Sequence, residues 1–425
     1  MDSRPRLYLC TAFLCGVLLT LGFKDVYPDL ERRFRRRRVP INSIAGAGLA
    51  PKDHIDLEDR TKKINEADRH VVEIGEGIEA CVGNTPLFRI KSLSEETGCD
   101  ILGKAEFLNG AGGSPKDRVA FNMIKTAEEQ GLLTPHSGDT IYEGTVGSTG
   151  ISLATICRAR GYLAHICMPS DQATEKSDLL LKLGAVVDRV PPAPIIDPMH
   201  FVNRARNLAA DHTADPTRAG RGYFADQFEN QANWQAHFEG TGPEIYQQCG
   251  GKVDAFVAGA GTGGTIAGVA RFLKPKLPNL RVVLADPQGS GLFNRIKNGV
   301  MFDPLEREGT RRRSQVDTIV EGIGINRVTA NFEAGRELID DAIKVNDEEA
   351  LAMARWLAEK DGMFVGSSSA VNCVAAARLA RLSGPGQRIV TILCDSGTRH
   401  LSKFWTHAGD IGGRTDTKLS HILGD

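Results

Sequence analysis

The sequence predicts an α/β fold in which parallel strands are joined by crossover helices. From about Ile78 onward, short β-branched or apolar runs alternate with longer stretches whose apolar residues recur at helical spacing. Three strand-to-helix junctions are also rich in glycine and hydroxyls: GTVGSTG (144–150), GAGTGGT (259–265) and GSSSA (366–370). Ligands of such sheets bind where strands end and helices begin, so three junctions of this kind point to a small ligand gripped from several sides.

The predicted strands, in order, are ILGKAEF, GDTIYEG, LAHICMP, AVVDRVP, DAFVAGA, RVVLADP and RIVTILCD. Each is a short apolar run bounded by turn or polar residues, as buried parallel strands are. The predicted helices are RVAFNMIKTAEEQG, ISLATICRARG, EKSDLLLKLGA, TIAGVARFLK, DEEALAMARWLAEKDG and AVNCVAAARLARLSG, most of them closing on glycine. That amounts to two or more sheets' worth of units, with no internal repeat and no long low-complexity tract.

With 425 residues, 41% hydrophobic and 25% charged, the chain has globular composition. Its formal charge is −1, but residues 1–40 hold nine Lys/Arg against four Asp/Glu, leaving 43 basic and 49 acidic residues for the rest. An acidic body argues against a nucleic-acid partner. The nine cysteines show no C-x-x-C pair and no disulfide-rich density, so they read as reduced, mostly buried thiols. No metal site is evident from spacing.

Residues 7–23, LYLCTAFLCGVLLTLGF, are uncharged and at the lower limit for a membrane-spanning helix, and RRFRRRR follows at 32–38. The arginine excess after the run keeps the following body on the cytosolic side. The segment is read as an N-terminal anchor (1–40), in the mitochondrial outer membrane or the endoplasmic reticulum. A cleaved signal or an organellar import segment is the alternative. Residues 41–77 read as a linker.

Gly259, Gly261 and Gly264 satisfy G-x-G-x-x-G, and Asp286 follows where a ribose-binding carboxylate would sit, which suggests a dinucleotide. A dinucleotide fold leaves the other two loops and one lysine without a role. In NGAGGSPKDRVAFNMI, Ser114 is a plausible N-cap, Pro115 opens the helix and Asp117 stands three residues past the cap in capping-box style. Lys116 then falls in the first helical turn, where the helix dipole disfavours a cation by up to about 1 kcal/mol. An amine with lowered proton affinity suits Schiff-base formation with an aldehyde. Pyridoxal 5′-phosphate supplies that aldehyde together with a lone phosphate for the GAGTGGT loop.

These residues resemble the cysteine synthase (O-acetylserine sulfhydrylase) and cystathionine β-synthase family of β-type, fold type II pyridoxal-phosphate enzymes, including a membrane-anchored branch of it. VGNTPLFRI, GGSPKDRVA, EGTVGSTGISLA, ADQFENQANWQAHFEGTGPEIY, GAGTGGTIAG, VGSSSAVN and CDSGTRHLS follow one another in the family's order from about Ile78 to Leu401. The resemblance implies two open, twisted, mostly parallel sheets with helices on both faces. It further implies a larger cofactor-binding domain (78–119 and 230–415), a smaller mobile substrate domain (120–229) and a homodimer.

Carried over, Lys116 matches the Schiff-base lysine and general base, and Gly261, Thr262, Gly263, Gly264 and Thr265 match the phosphate cradle. Ser148 takes the position facing the cofactor's phenolic oxygen, and Ser368 the position facing its pyridine nitrogen. Thr145, Gly147, Thr149 and Gln227 match groups that receive the substrate carboxylate, and Gly322 a glycine beside its amine. The implied reaction replaces the β-substituent of an activated serine by sulfide, through α-aminoacrylate, to give L-cysteine. Cystathionine β-synthase or desulfhydrase chemistry, and a catalytically impaired membrane-tethered scaffold, stay open. Three positions depart from the family loops: Ser148 replaces an asparagine, Val146 a serine and Ala370 a glycine. Losing one carboxylate hydrogen bond at Val146 is worth about 1–3 kcal/mol, enough to alter substrate preference.

Overall fold

The structure, a computed structural model, describes residues 74–172, 174–303, 318–409 and 418–424. The apolar run 7–23, the basic segment 32–38 and residues 41–73 of the anticipated linker lie outside them. No described helix is long and apolar enough to cross a membrane.

Among the described residues, ten strands form two sheets. The larger contains β1 (Leu87–Arg89), β2 (Asp100–Ala105), β7 (Ala255–Gly259), β8 (Arg281–Pro287), β9 (Asp341–Val345) and β10 (Arg388–Leu393), in the order β1-β2-β10-β7-β8-β9. The smaller contains β3 (Thr140–Gly144), β4 (Leu163–Pro169), β5 (Val186–Val190) and β6 (Gly222–Phe224), in the order β5-β4-β3-β6. Every neighbouring pair is parallel except β1 with β2. The predicted α/β class with mostly parallel sheets is what the chain forms.

The principal helices are α1 (Lys116–Glu129), α2 (Ser148–Ala159), α3 (Thr174–Lys182), α4 (Phe201–Ala214), α5 (Gly264–Leu273), α6 (Asp347–Asp361) and α7 (Ser367–Ser383). Their starts follow local chemistry. At α6, Asn346 and Glu349 form a reciprocal capping box. At α5, the turn residue Gly263 takes φ +83°, a left-handed conformation that glycine adopts without strain.

Helix α7 is buried on almost every side, from Ser367 through Ala377 and again at Leu379 and Ala380. Its run of small residues lets it pack within the core of the larger sheet, beside Ile389 and Leu393 of β10. A second core, including Val119, Ile124, Ile141, Leu153 and Ile166, lies between α1, α2 and the smaller sheet.

Three strands escaped the sequence reading. β1 and β6 are three residues long with no fully buried position, and β9 is interrupted by partly exposed charges. A second correction concerns Asp117. Its carboxylate does not complete a capping box with Ser114; it accepts from the amides of Gly112 and Gly113 at 2.7 and 2.9 Å and from Ser152 Oγ at 2.5 Å. The residue is fully buried and ties the loop before Lys116 to α2.

Candidate active site

A cleft of about 560 Å³ opens where the carboxyl ends of the strands of both sheets face one another. It is lined by Lys116 and by all three glycine- and hydroxyl-rich loops, joined by the segments around Gln227, Gly322 and Arg399. Of the residues picked from sequence, Thr145, Gly147, Ser148, Thr149, Gln227, Gly261, Thr262, Gly263, Thr265, Gly322 and Ser368 line it together with Lys116. Gly264 stands behind the wall as the first residue of α5.

Lys116 begins α1, where the Ser114 hydroxyl accepts from its backbone amide at 3.2 Å. Burial lowers the proton affinity of its amine, against the smaller opposing pull of Cys394, Asp395 and Glu106. Two residues along the helix, Arg118 anchors this end from below. Its guanidinium pairs with Glu106 at 2.7 Å and with Glu244 at 2.7 Å. Glu106 is fully buried and Arg118 nearly so, and Glu244 also receives Lys104 at 2.6 Å.

The GAGTGGT turn has the shape of an anion cradle. A Cβ on Gly261 would lie 2.5 Å from the Gly322 carbonyl, and one on Gly263 2.5 Å from Phe332 Cα, so both positions tolerate only hydrogen. Thr262 Oγ1 accepts from Asn233 Nδ2 at 3.0 Å, and the Thr262 carbonyl accepts from Thr329 Oγ1 at 2.7 Å. Thr265 Oγ1 meets His237 Nε2 at 3.2 Å. Burial pushes that imidazole down to about 3, so it is neutral at physiological pH. Backbone amides and the positive end of the ten-residue helix α5 converge here.

On the opposite wall, Thr149 Oγ1 donates to Gln227 Oε1 at 2.6 Å, and Gln227 Nε2 donates to Glu143 Oε1 at 3.1 Å. Both ends of the Gln227 amide are therefore engaged within the protein. Glu143 is fully buried, and burial, reinforced by Asp226, pushes its carboxyl up to about 8. Thr145 is held from behind, its amide donating to the Cys167 carbonyl at 3.0 Å. Ser368, on the first turn of α7, hydrogen-bonds the thiol of Cys394, whose ionisation burial holds up to about 11.

Several lining or supporting groups were not singled out from sequence. Arg399 Nη1 donates to Ser148 Oγ at 3.3 Å. Across the mouth, Glu321 pairs with Lys176 of α3 at 2.9 Å and lies 3.6 Å from His400 Nδ1, whose Nε2 meets Asp395 at 3.0 Å. Arg399 and His400 belong to the motif CDSGTRHLS, which was legible, although their contacts were not. Asp286, the apparent ribose ligand, is fully buried, accepts from the Phe293 amide at 2.8 Å and pairs with Lys344 at 3.1 Å. It is not available to a dinucleotide.

The glycines that admit no side chain, the helix end beside them and the poorly solvated lysine fit a phosphate-bearing aldehyde. Residues 78–395 match the family described as pyridoxal-phosphate dependent enzymes, and the chain belongs to that family. Its cofactor is pyridoxal 5′-phosphate. Among its relatives, "Cysteine synthase 2" of Emericella nidulans is 64% identical over 433 residues, covering 100% of this chain and 99% of that one. "Cysteine synthase 2" of Neurospora crassa is 61% identical over 441 residues, covering 98% and 96%. A crystal structure of "O-acetylserine dependent cystathionine beta-synthase from Helicobacter pylori" superposes with TM-score 0.64 at 33% identity, covering 78% of this chain and 99% of that one.

Proposed function

We propose that the protein forms L-cysteine by replacing the β-substituent of an activated, O-acetylserine-like serine with sulfide. The observation that carries the reading is Lys116, poised at the floor of the cleft between the anion cradle and the hydroxyl-rich loop. Near-complete coverage by relatives named cysteine synthase supports the same reaction.

When bound, pyridoxal phosphate supplies an electron sink for the charge left as the α-proton departs. Gly261, Thr262, Gly263, Gly264 and Thr265 would hold its phosphate, Ser148 would serve its phenolic oxygen, and Ser368 would offer its ring nitrogen a neutral hydroxyl. Thr145, Gly147 and Thr149 bind the substrate carboxylate, with Gly322 leaving room for the amine. Gln227 acts there chiefly by orienting Thr149, since its own amide is engaged by Glu143. Lys116 takes the α-proton onto Nζ and returns it after sulfide adds, a role that burial of its amine favours. The smaller domain, 120–229, moves to admit substrate and exclude water.

A second reading, cystathionine formation with homocysteine as nucleophile, draws on the Helicobacter pylori likeness and on Lys176, Arg399 and Lys403 lining the cleft, where a second carboxylate could pair. Beyond the catalytic body, residues 7–23 anchor the chain in a membrane, the mitochondrial outer membrane in preference to the endoplasmic reticulum. The body faces the cytosol and works as a homodimer.

The test combines borohydride reduction of the purified protein with a substrate panel. Reduction is expected to fix the cofactor to Lys116, and O-acetylserine with sulfide is expected to outpace O-acetylserine with homocysteine. Faster turnover with homocysteine would install the second reading. Cysteine breakdown with release of sulfide would mark a desulfhydrase, and cofactor binding without turnover of any amino acid would mark a scaffold.

A further inference from the structure

In the middle of β4, behind the loop 144–150, strand geometry gathers three groups of mixed chemistry. His165 and Cys167 are two apart on β4 and so project from one face, and the register sets Cys167 opposite Asp188 of β5 and His165 opposite Tyr142 of β3. One ligand atom from each of His165, Cys167 and Asp188 lies within 4.8 Å of the other two. Cys167 is fully buried in a small apolar cluster with Tyr142, Ala205 and Ala209.

The histidine is the unusual member. Its ring stacks on Tyr142 with centroids 4.8 Å apart, and its Nε2 is shut off from solvent without a hydrogen-bond partner. Buried polar groups are normally satisfied, so an unmet ring nitrogen beside a thiol and a carboxylate asks for a ligand. Asp188 accepts from Arg204 Nε through Oδ2 at 3.1 Å, and among the described residues no hydrogen bond is given to its other oxygen.

We infer that His165, Cys167 and Asp188 form a binding site for a zinc ion, separate from the catalytic cleft. Imidazole, thiolate and carboxylate are the donors zinc accepts, and three protein ligands leave a fourth position for water. Zinc bonds of about 2.0–2.3 Å place tetrahedral ligand atoms roughly 3.3–3.8 Å apart, a small rotamer adjustment from the observed cluster. On binding, the Cys167 S–H bond breaks, its proton leaves to solvent and a Zn–S bond forms. His165 contributes a ring-nitrogen lone pair. Thiolate and carboxylate offset the charge of the dication, with Arg204 retained on the other side of Asp188, and nothing is oxidised or reduced.

The consequence is a clip between β4 and β5. The Cys167 carbonyl also receives the amide of Thr145, so the clip steadies the strand end that presents the loop 144–150.

The experiment uses the full chain with its cofactor bound, stripped of metal by chelator and titrated with zinc chloride against a chromophoric chelator. One zinc per chain is expected at micromolar or tighter affinity, with one proton released per ion in weak buffer and a raised melting temperature reversed by chelator. Cys167→Ser and His165→Gln are each expected to weaken binding at least ten-fold, whereas Cys157→Ser, at a buried thiol outside the cluster, keeps full affinity. Should Cys167→Ser not fold, His165→Gln and proton release decide. The inference is overturned if no zinc is retained in competition, or if folded His165→Gln binds it as tightly as the parent.

Discussion

Replacing Gly264 by alanine tests the anion cradle from its outer side, at a residue outside the cleft lining. A methyl at this first position of α5 would overlap Asn233 Oδ1 and lie 2.7 Å from its Cγ. Asn233 cannot step aside freely. It is fully buried, and its Nδ2 donates to the Gln227 carbonyl at 2.6 Å and to Thr262 Oγ1 at 3.0 Å. Breaking both bonds costs about 2 kcal/mol, and overpacking the site adds about 1–3 kcal/mol. Because Thr262 and Gln227 both line the cleft, the hydrogen-bond share is expected to appear as lost cofactor affinity, roughly 30-fold. Titrating apo-protein with pyridoxal phosphate, followed by absorbance, measures it, with a thermal melt run in parallel. Adding Asn233→Ala removes the overlapped atom, so the double variant is expected to bind better than the two single losses predict together. Cofactor affinity within three-fold of the parent in Gly264→Ala, at an unchanged melting temperature, would refute the assigned cradle.

Further outcomes are expected elsewhere. Arg118→Ala strands the fully buried Glu106 without its counter-charge and is expected to cost about 3–5 kcal/mol in urea unfolding. Burial pushes the Glu143 carboxyl up to about 8 from an ordinary 4.5, so the folded state keeps a proton that the unfolded chain has already released. Stability is therefore expected to fall as pH rises from about 4.5 to 8, by up to about 1.4 kcal/mol per unit, and Glu143→Gln to flatten that slope in melts across the window. Ser148→Asn restores the longer amide reach toward the cofactor and is expected to tighten its binding by about 1 kcal/mol, roughly five-fold, in the same titration.

What could be read from the residues depended on where their causes lie. β8 was legible end to end because Val282 through Pro287 are all buried and the strand reads as one apolar run. β9 was not, because Asp341 and Lys344 break the run: Asp341 pairs with Lys297 and Lys344 reaches Asp286, partners supplied by other parts of the chain. Lys116 announced itself through a local anomaly, a cation in a first helical turn. Arg399 could not, since it meets Ser148 251 positions earlier in the chain. Asp117 was placed in the right turn and given the wrong partners, because its contact with Ser152 spans two helices. His165, Cys167 and Asp188 follow no metal-binding spacing in one dimension; only the register of β4 against β5 brings them together.

The pairing of β2 with β10 joins Asp100 to Arg388 and Ala105 to Leu393. During synthesis on a ribosome, β2 must wait for almost three hundred further residues before its parallel neighbour exists, while β3 to β6 emerge together between positions 140 and 224. The smaller sheet can thus condense first, and the larger one closes late, around a long loop whose entropy slows that step. Until then, two sticky strand edges are exposed to other nascent chains, and the lysine-bearing helix has no finished pocket in which to meet a vitamin B6 aldehyde. Cofactor capture in this sense waits on the closing of the larger sheet.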